Sequence, residues 1–440
     1  MMSAFATMTK YERYKDTDFD WIGQVPEGWE VTKLGACLKP VSIKNKPELP
    51  LLSITREQGV IERDLEDQDS NHNFIPDDLS GYKMLRKGQF GMNKMKAWQG
   101  SYGVSDYTGI VSPAYFIFDF AKAIEPRFFN WAIRSKLYVS YFGSASDGVR
   151  IGQWDLSKDR MKAIPFVLPT TCEQKLIADF LDAKTAQIDE AISIKEKQIA
   201  LLKERKQIII QKAVTQGLNS NVQMKDSGVD WIGQIPEHWE LKKLRYLGLT
   251  QNGISAGAEY FGEGFPFVSY GDVYKNRQLP NAVDGLAKSS SSDQKLYSVC
   301  SGDVFFTRTS ETIDEIGFAS VCFENIEKAT FAGFLIRFRP TTSLLLKEFS
   351  KYYFNSSMMR NYFVKEMNLV IRASLGQELL KNLPVALPPV EEQLSIFKYL
   401  ECTNAKIDGV IELQMKQIEK LKEYKSTLIN SAVTGKIKVA

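Results

Sequence analysis

A long internal repeat constrains this chain more than any other feature of its sequence. The run Asp20–Glu30 recurs as Asp230–Glu240, at an offset of 210 residues and with nine of its eleven residues unchanged. A second repeat, at an offset of 219 residues, relates the stretch that begins at Glu173 to the stretch that begins at Glu392. Repetition over such lengths predicts one structural unit used twice, so we interpret the chain as a tandem duplication.

The segments between the repeated stretches do not resemble each other. Residues ~31–150 and ~241–370 occupy the same place in each half but share only a sparse pattern. Short aromatic and branched runs bounded by Gly and Pro, such as Tyr115–Phe118 and Phe334–Phe338, predict strands. We call the repeated stretches the frame and the segments between them the inserts. A constant frame with two different inserts is expected if each insert recognises something different.

The frame continues after Pro169 and Pro388 into two stretches that predict long helices. Their apolar residues recur every seven positions, and each stretch ends near a glycine, Gly217 or Gly435. Sustained heptads predict a coiled coil, and two matched helices in one chain predict an antiparallel pair. The alternative is that each helix is a solvated amphipathic helix packed on its own domain. The residues expected at the helix and subunit interface are Leu181, Ile188, Ile192, Ile199, Leu202, Ile209, Leu400, Ile407, Ile411, Ile418, Leu421 and Leu428.

Composition limits the class of protein. A length of 440 residues favours about three domains. With 56 basic and 53 acidic residues the net charge is only +3, so any nucleic-acid surface must be local. Five scattered cysteines and two histidines predict neither a disulfide framework nor a metal site. Since no apolar run reaches the roughly 18 residues of a membrane span, we expect a cytoplasmic chain with no membrane contact.

No catalytic constellation is recognisable in the sequence. It contains neither a phosphate-binding G-x-x-x-x-G-K-[ST] loop nor an Asp/Asn-Pro-Pro-aromatic tetrad. The Glu-x-Lys sets Glu204–Lys206 and Glu423–Lys425 fall on the predicted helices as solvated charge. We therefore expect no catalytic residues. Two alternatives stay open: a stand-alone DNA methyltransferase or nuclease, and a coiled-coil scaffold with no DNA role.

Basic residues interleaved with aromatics predict DNA contact. Leu79–Ser105 contains five cations and no acid, and in the second insert the stretch Tyr297–Arg308 corresponds to part of it at an offset of 214 residues. Local positive charge of this kind is typical of phosphate binding, although a single charge run is more often a solvated face. The candidate DNA-binding residues are Arg56, Lys83, Arg86, Lys87, Asn93, Lys94, Lys96, Gln99, Tyr102, Arg150, Ser269, Thr307, Arg308 and Arg372.

Several of these motifs resemble one known family. The run Lys225–Trp239, the Leu-Pro-x-x-x-Glu-Gln helix starts (Leu168–Gln174, Leu387–Gln393) and the Ala-Val-Thr helix ends are similar to the repeats of Type I restriction–modification specificity subunits. The resemblance implies that each insert is a target-recognition domain that reads one half of a bipartite, asymmetric double-stranded DNA site. It also implies that the helices set the length of the unread spacer.

The resemblance implies partners as well. Two methylation subunits are expected to dock on the frame and to bind S-adenosylmethionine, and restriction subunits to use ATP and Mg²⁺. None of these cofactors is expected on this chain.

The implied fold class is α+β, with a pseudo-two-fold internal repeat. Two globular mixed α/β target-recognition domains are separated by two long antiparallel coiled-coil helices. The expected boundaries are 1–30 for the first repeat segment, 31–168 for the first target-recognition domain, 169–217 for the first long helix, 218–240 for the linker and second repeat segment, 241–387 for the second target-recognition domain and 388–435 for the second long helix.

Overall fold

The chain folds into two compact units. A computed structural model describes residues 8–64, 76–147, 154–310, 316–366 and 373–439. The first unit consists of Met1–Lys195 and Met415–Ala440, and the second of Glu196–Gln414. Within the described ranges, no helix combines the length and the apolarity needed to cross a membrane.

The first unit contains short strands, short helices and parts of both long helices. Its strands are β1 (Tyr14–Asp16), β2 (Gln24–Pro26), β3 (Glu30–Lys33), β4 (Leu38–Val41), β5 (Leu52–Thr55), β6 (Gly59–Glu62), β7 (Lys83–Leu85), β8 (Phe90–Met92), β9 (Tyr102–Val104), β10 (Gly109–Val111), β11 (Phe116–Phe120) and β12 (Pro165–Leu168). Its helices are α1 (Leu34–Cys37), α2 (Pro126–Ile133), α3 (Lys136–Ser144), α4 (Lys158–Ala163) and the first part of α5 (Thr171–Gln216).

The second unit has a similar inventory. Its strands are β13 (Met224–Asp226), β14 (Gln234–Pro236), β15 (Glu240–Lys243), β16 (Gly248–Asn252), β17 (Phe261–Val268), β18 (Leu286–Ala287), β19 (Val304–Thr307), β20 (Thr309–Ser310), β21 (Ala319–Val321), β22 (Thr330–Phe331), β23 (Leu335–Pro340), β24 (Ala373–Ser374) and β25 (Pro384–Leu387). Its helices are α6 (Tyr270–Lys275), α7 (Ser291–Leu296), α8 (Lys347–Tyr353), α9 (Ser357–Glu366), α10 (Gln377–Asn382) and the first part of α11 (Val390–Val433).

Both inserts are built around a four-stranded antiparallel sheet with the same strand order. The order is β4-β11-β8-β9 in the first unit and β16-β23-β19-β21 in the second. Phe118 pairs with Phe90, and Phe338 pairs with Val304. Phe90 and Val304 differ by 214 residues, the offset found in the sequence, and each pairs with a phenylalanine of the neighbouring strand. The two inserts share one topology although their sequences have diverged.

The frame strands bring the two ends of each insert together. In the first unit β3 pairs antiparallel with β12, and Val31 lies opposite Val167. In the second unit β15 pairs antiparallel with β25, and Leu241 lies opposite Ala386. Each insert therefore leaves the frame and returns to it on adjacent strands.

Aromatic side chains form the core of the first insert. The Phe90 ring lies 6.0 Å from that of Phe118 and 5.2 Å from that of Phe129, and all three residues are fully buried. Burial of one such side chain contributes roughly 1.5–3 kcal/mol to the free energy of folding. The helical segment that packs here is interrupted after α2, because the Ser135 hydroxyl accepts a hydrogen bond from the Tyr138 backbone and starts α3 as a new helix.

A repeated tryptophan joins the ends of the two long helices in the first unit. The Trp29 indole donates to Glu173 Oε2, at the start of α5, over 3.0 Å. The same indole ring packs on Gly435, just after α11, where a Cβ atom would lie 3.1 Å from it. Gly435 has φ +73°, a left-handed conformation that favours glycine at a helix end.

The second unit repeats this junction with its own residues. The Trp239 indole donates to Glu392 Oε2, near the start of α11, over 3.1 Å. Gly217, just after α5, has φ +75°, and a Cβ atom there would lie 3.4 Å from Trp239. The glycines expected to stop the helices therefore do so, and each also gives a tryptophan room to pack.

Within each unit, the segments of the long helices run antiparallel. In the first unit Lys425 Nζ donates to the Asp189 carboxylate at 2.7 and 2.6 Å, and Lys195 donates to Gln417. In the second unit Lys206 Nζ donates to both carboxylate oxygens of Asp408 at 2.7 Å. Each of the residues expected at the helix interface is buried or half-buried: Leu181, Ile188, Ile192, Ile199, Leu202, Ile209, Leu400, Ile407, Ile411, Ile418, Leu421 and Leu428.

Candidate nucleic-acid interface

The loop between β8 and β9 of the first insert brings four sequence candidates together. Residues 93–101 form this loop, which we call the first hairpin loop, and it carries Asn93, Lys94, Lys96 and Gln99. The Asn93 backbone N–H donates to the Ser101 carbonyl at 3.0 Å and so extends the hydrogen bonding between β8 and β9 into the loop. The side chain of Lys96 is exposed, whereas Lys94 and Gln99 are half-buried.

Asn93 shapes this loop from inside. Its side-chain amide donates to the Tyr115 hydroxyl at 3.2 Å, and its side-chain oxygen accepts from the Met95 backbone at 3.2 Å. Lys83 fixes the same region, because its Nζ donates to the Tyr115 carbonyl at 2.7 Å. Asn93 and Lys83 therefore hold the loop, and the exposed Met95 and Lys96 lie on its outer side.

The second insert places a loop at the corresponding position of its sheet. This second hairpin loop connects β19 to β21. Thr307 is the last residue of β19, and Arg308 is the first residue of the loop. The Thr307 backbone N–H donates to the Phe318 carbonyl at 2.9 Å, and the Thr307 hydroxyl accepts from the Phe318 backbone at 2.9 Å. Thr307 is fully buried, so its side chain closes the loop and does not reach solvent.

Lys94 and Arg308 are anchored alike in the two inserts. The Lys94 carbonyl accepts from the Leu156 backbone at 3.2 Å, and the Arg308 carbonyl accepts from the Leu375 backbone at 2.7 Å. Leu156 and Leu375 are both fully buried and precede the long helices by the same distance. In the first insert Asp155 also pairs with Lys94, at 3.0 Å. Two cations thus occupy equivalent places in two inserts of different sequence.

The remaining candidates are spread over the inserts. Ser269 is half-buried and caps α6, with its hydroxyl accepting from the Asp272 backbone. The exposed side chains are those of Arg56, Arg86 and Lys87. Arg150 and Arg372 lie outside the residues that the structure describes.

The burial of Tyr102 corrects its place among the candidates. Its ring lies 4.6 Å from that of Phe142 and 6.1 Å from that of Phe90, and the residue is fully buried. Burial raises the pKa of its hydroxyl above the usual range. Tyr102 belongs to the core of the insert and cannot touch DNA in this conformation.

Two lysines that the sequence did not single out complete a positive patch. Burial lowers the pKa of Lys83, and so does the positive charge of Lys158, Lys44 and Lys94 around it. Lys44 and Lys158 are exposed, and Lys158 Nζ lies 4.8 Å from the centre of the Phe116 ring. Neither lysine belongs to the acid-free basic run, so only the fold brings them to it.

These groups suit an anionic ligand. Lysine and arginine side chains around an exposed loop can bind phosphate oxygens and read base edges. No cluster of His, Cys, Asp and Glu suited to a metal ion occurs in the part of the chain that the structure describes.

The sequence is similar to specificity subunits along almost its full length. The profile of the domain family described as Type I restriction modification DNA specificity domain matches residues 236–423. The chain is 24% identical to the Type I restriction enzyme MjaVIII specificity subunit of Methanocaldococcus jannaschii, over 97% of each chain. It is 25% identical to the EcoKI specificity subunit of Escherichia coli K12, over 72% of this chain and 66% of that one.

Solved structures share its fold. A chain solved in work on complex assembly and conformational transition of the type I R-M system has a TM-score of 0.71 at 16% identity, over 93% of this chain and 98% of that one. The HsdS subunit from Thermoanaerobacter tengcongensis has a TM-score of 0.56 at 17% identity, over 94% of this chain and 98% of that one. The common fold therefore includes both units.

Proposed function

Because this chain is similar to the specificity subunits of Type I restriction–modification systems along almost its full length, we propose that it is one of them and reads a bipartite DNA sequence, with one half-site bound by each insert. Its role is DNA sequence recognition, and it is a non-catalytic subunit of a larger enzyme. The proposed target-recognition domains are residues 31–168 and 241–387, joined by repeat segments 1–30 and 218–240 and by the long helices 169–217 and 388–435.

One observation carries this proposal. The two inserts have the same sheet order, and each places a cation, Lys94 or Arg308, at the start of the loop between corresponding strands. A shared scaffold with different loop residues suits two readers that dock alike on DNA but recognise different bases.

The proposed contacts combine base reading with phosphate binding. Arg308, Lys96 and Gln99 have side chains that can hydrogen-bond base edges in the major groove. Lys94, which forms an ion pair with Asp155, belongs to the same proposed DNA surface. We assign to the surrounding DNA contact the exposed candidates Arg56, Arg86 and Lys87, the half-buried Ser269, and Arg150 and Arg372, which are not among the described residues.

The partners follow from the same family. Two methylation subunits dock on the frame and supply S-adenosylmethionine, and restriction subunits supply ATP- and Mg²⁺-dependent steps. The antiparallel long helices hold the two readers apart and so fix the length of the unread spacer. The repeated frame surfaces support this arrangement, since two copies of one partner need two similar docking sites.

Selection of bound sequences from a random DNA pool tests the function. The full chain, assembled with its methylation subunits, is incubated with the pool at fixed salt, and the bound duplexes are sequenced. We expect two different short half-sites separated by a spacer of constant length and no sequence preference. Enrichment of a single contiguous motif, or of none, would refute the proposal.

A further inference from the structure

Two lysines on the long helices are equivalent in the 219-residue repeat and have no evident internal role. Lys203 and Lys422 are both exposed, and neither forms an ion pair with another described residue. One exposed neighbour has changed between the copies, since Leu201 corresponds to Lys420, whereas the exposed Glu204 and Glu423 are the same in both. A surface residue kept in both copies points to something outside the chain that meets both.

The lysines three residues further on show what an internal role looks like. Lys206 and Lys425 are also equivalent, but each is paired with an aspartate of the other helix, Asp408 or Asp189. Those contacts explain why both copies keep a lysine there. Among the residues that the structure describes, no such ion pair involves Lys203 or Lys422.

In the first unit, Lys422 lines an open cleft that also contains DNA candidates. The cleft has a volume of about 580 Å³, and Arg56, Gln99 and Lys136 line it as well. Lys422, Lys425 and Asp189 are the charged residues of its helical wall, whereas the neighbouring Glu423 does not line it. Because Lys425 pairs with Asp189, Lys422 is the charge left over on this wall, which adjoins the first hairpin loop.

Most cations of this cleft are already engaged. Arg56 pairs with Glu57 at 3.1 Å, and Lys425 pairs with Asp189. The half-buried Arg134 donates to the Glu57 carbonyl at 2.8 Å. Among the described residues, Lys136 and Lys422 are the lining cations whose side chains have neither an ion pair nor a hydrogen bond, and both are exposed to solvent.

We propose that Lys203 and Lys422 contact the phosphate backbone of the unread spacer DNA. This inference rests on the proposed function. The two half-sites differ, so the residues that read them must differ, as those of the inserts do. The phosphate backbone of a duplex has the same chemistry whatever its base sequence, so the residues that bind it can be the same in both repeats of the chain.

Salt dependence of DNA binding tests the inference. The full chain with its methylation subunits is titrated with a duplex that carries the selected site, between 50 and 200 mM salt. Raising the salt across that range weakens binding. In Lys203→Ala and in Lys422→Ala this salt-induced loss of affinity should be about 3.5-fold smaller than in the wild type, since each phosphate contact contributes about 0.9 to the slope of log affinity against log salt. The double variant should show the product of both effects, with unchanged discrimination between the selected site and one with a replaced half-site.

Two controls sharpen the result. Lys420→Ala removes an exposed lysine of the same helix that is not repeated, and it should leave the slope at the wild-type value. A duplex with uncharged methylphosphonate linkages in the spacer should reduce the wild-type slope, and the double variant should then lose nothing more.

An unchanged slope in the double variant, or a loss limited to one half-site, would overturn the inference. Loss of methylation-subunit binding, measured by mass photometry, with an unchanged slope would assign the lysines to protein docking instead. Failure of the wild-type complex to distinguish the selected site from a scrambled duplex would refute the proposed function itself, which separates the two outcomes.

Discussion

Lys206 donates from Nζ to both carboxylate oxygens of Asp408, each at 2.7 Å, and so links the two long helices of the second unit. In the first unit Lys425 and Asp189 make the same contact. The 219-residue offset relates Asp189 to Asp408 and Lys206 to Lys425. In the first unit α5 supplies the aspartate and α11 the lysine, and in the second unit the two helices exchange these roles. Two copies of one helix that pair antiparallel produce this exchange.

The ion pair predicts a measurable coupling between the helices. Asp408→Lys should lower the free energy of unfolding, because two lysines then face each other, and Lys206→Asp in the same chain should restore most of it. Since the Asp408 side chain is 56% exposed, we expect a coupling energy of about 0.2–1 kcal/mol in a double-mutant cycle of urea unfolding. Strictly additive effects would show that the pair contributes nothing.

Helix length should determine spacer length. Four residues inserted after Lys197 and four after Lys416, which are equivalent positions, add about 6 Å to each helix. We expect the selected spacer to grow by about two base pairs, at 3.4 Å each, while both half-sites stay unchanged. A spacer of the original length in the same random-pool selection would contradict this.

The equivalent cations at the hairpin loops should affect different half-sites. Lys94→Ala should weaken recognition by the first insert and Arg308→Ala that by the second, each by about 1–3 kcal/mol if the side chain touches a base. Binding to duplexes with one replaced half-site separates the two effects. Equal weakening on every sequence would instead make these residues phosphate contacts.

Tyr102→Phe should leave DNA binding unchanged. The Tyr102 hydroxyl is buried without a hydrogen-bond partner among the described residues, so its removal should raise the free energy of unfolding by about 1 kcal/mol. Denaturant unfolding and DNA titration of the same sample measure both quantities. A loss of DNA affinity in a stably folded variant would show that the Tyr102 hydroxyl takes part in DNA binding.

Gly435→Ala should destabilise the junction at Trp29. A Cβ atom would lie 2.4 Å from Pro26 Cδ in a left-handed backbone conformation, so we expect a loss of at least about 1 kcal/mol in urea unfolding. Gly28→Ala is the matched control, because its Cβ would meet nothing within 4 Å and the other copy has His238 there. Similar stability of both variants would argue against the packing role of Gly435.

Local signals predicted the frame well. The helix-stopping glycines lie directly after the ends of α5 at Gln216 and close to the end of α11 at Val433. Heptads and glycine stops depend on neighbours in sequence, which a single chain reveals. The resemblance to specificity subunits, based on these frame motifs, is confirmed by the comparisons.

The inserts were harder to predict because their contacts are long-range. The helical stretch between Pro126 and Ser144 is divided in two, because Ser135 caps a second helix inside that range. Tyr102 lies in the basic run yet faces the core, since aromatics interleaved with cations also fit a strand with one buried side. Lys44 and Lys158 reach the basic patch only through folding, so no signal along the chain could have found them.

The adjacent entry and exit strands of each insert, β3 with β12 and β15 with β25, have an evolutionary consequence. A module whose two chain ends emerge side by side can be exchanged for another of the same topology without rebuilding its support. New sequence preferences could therefore arise by recombination at these strand pairs, one half-site at a time, while assembly with the other subunits is inherited intact.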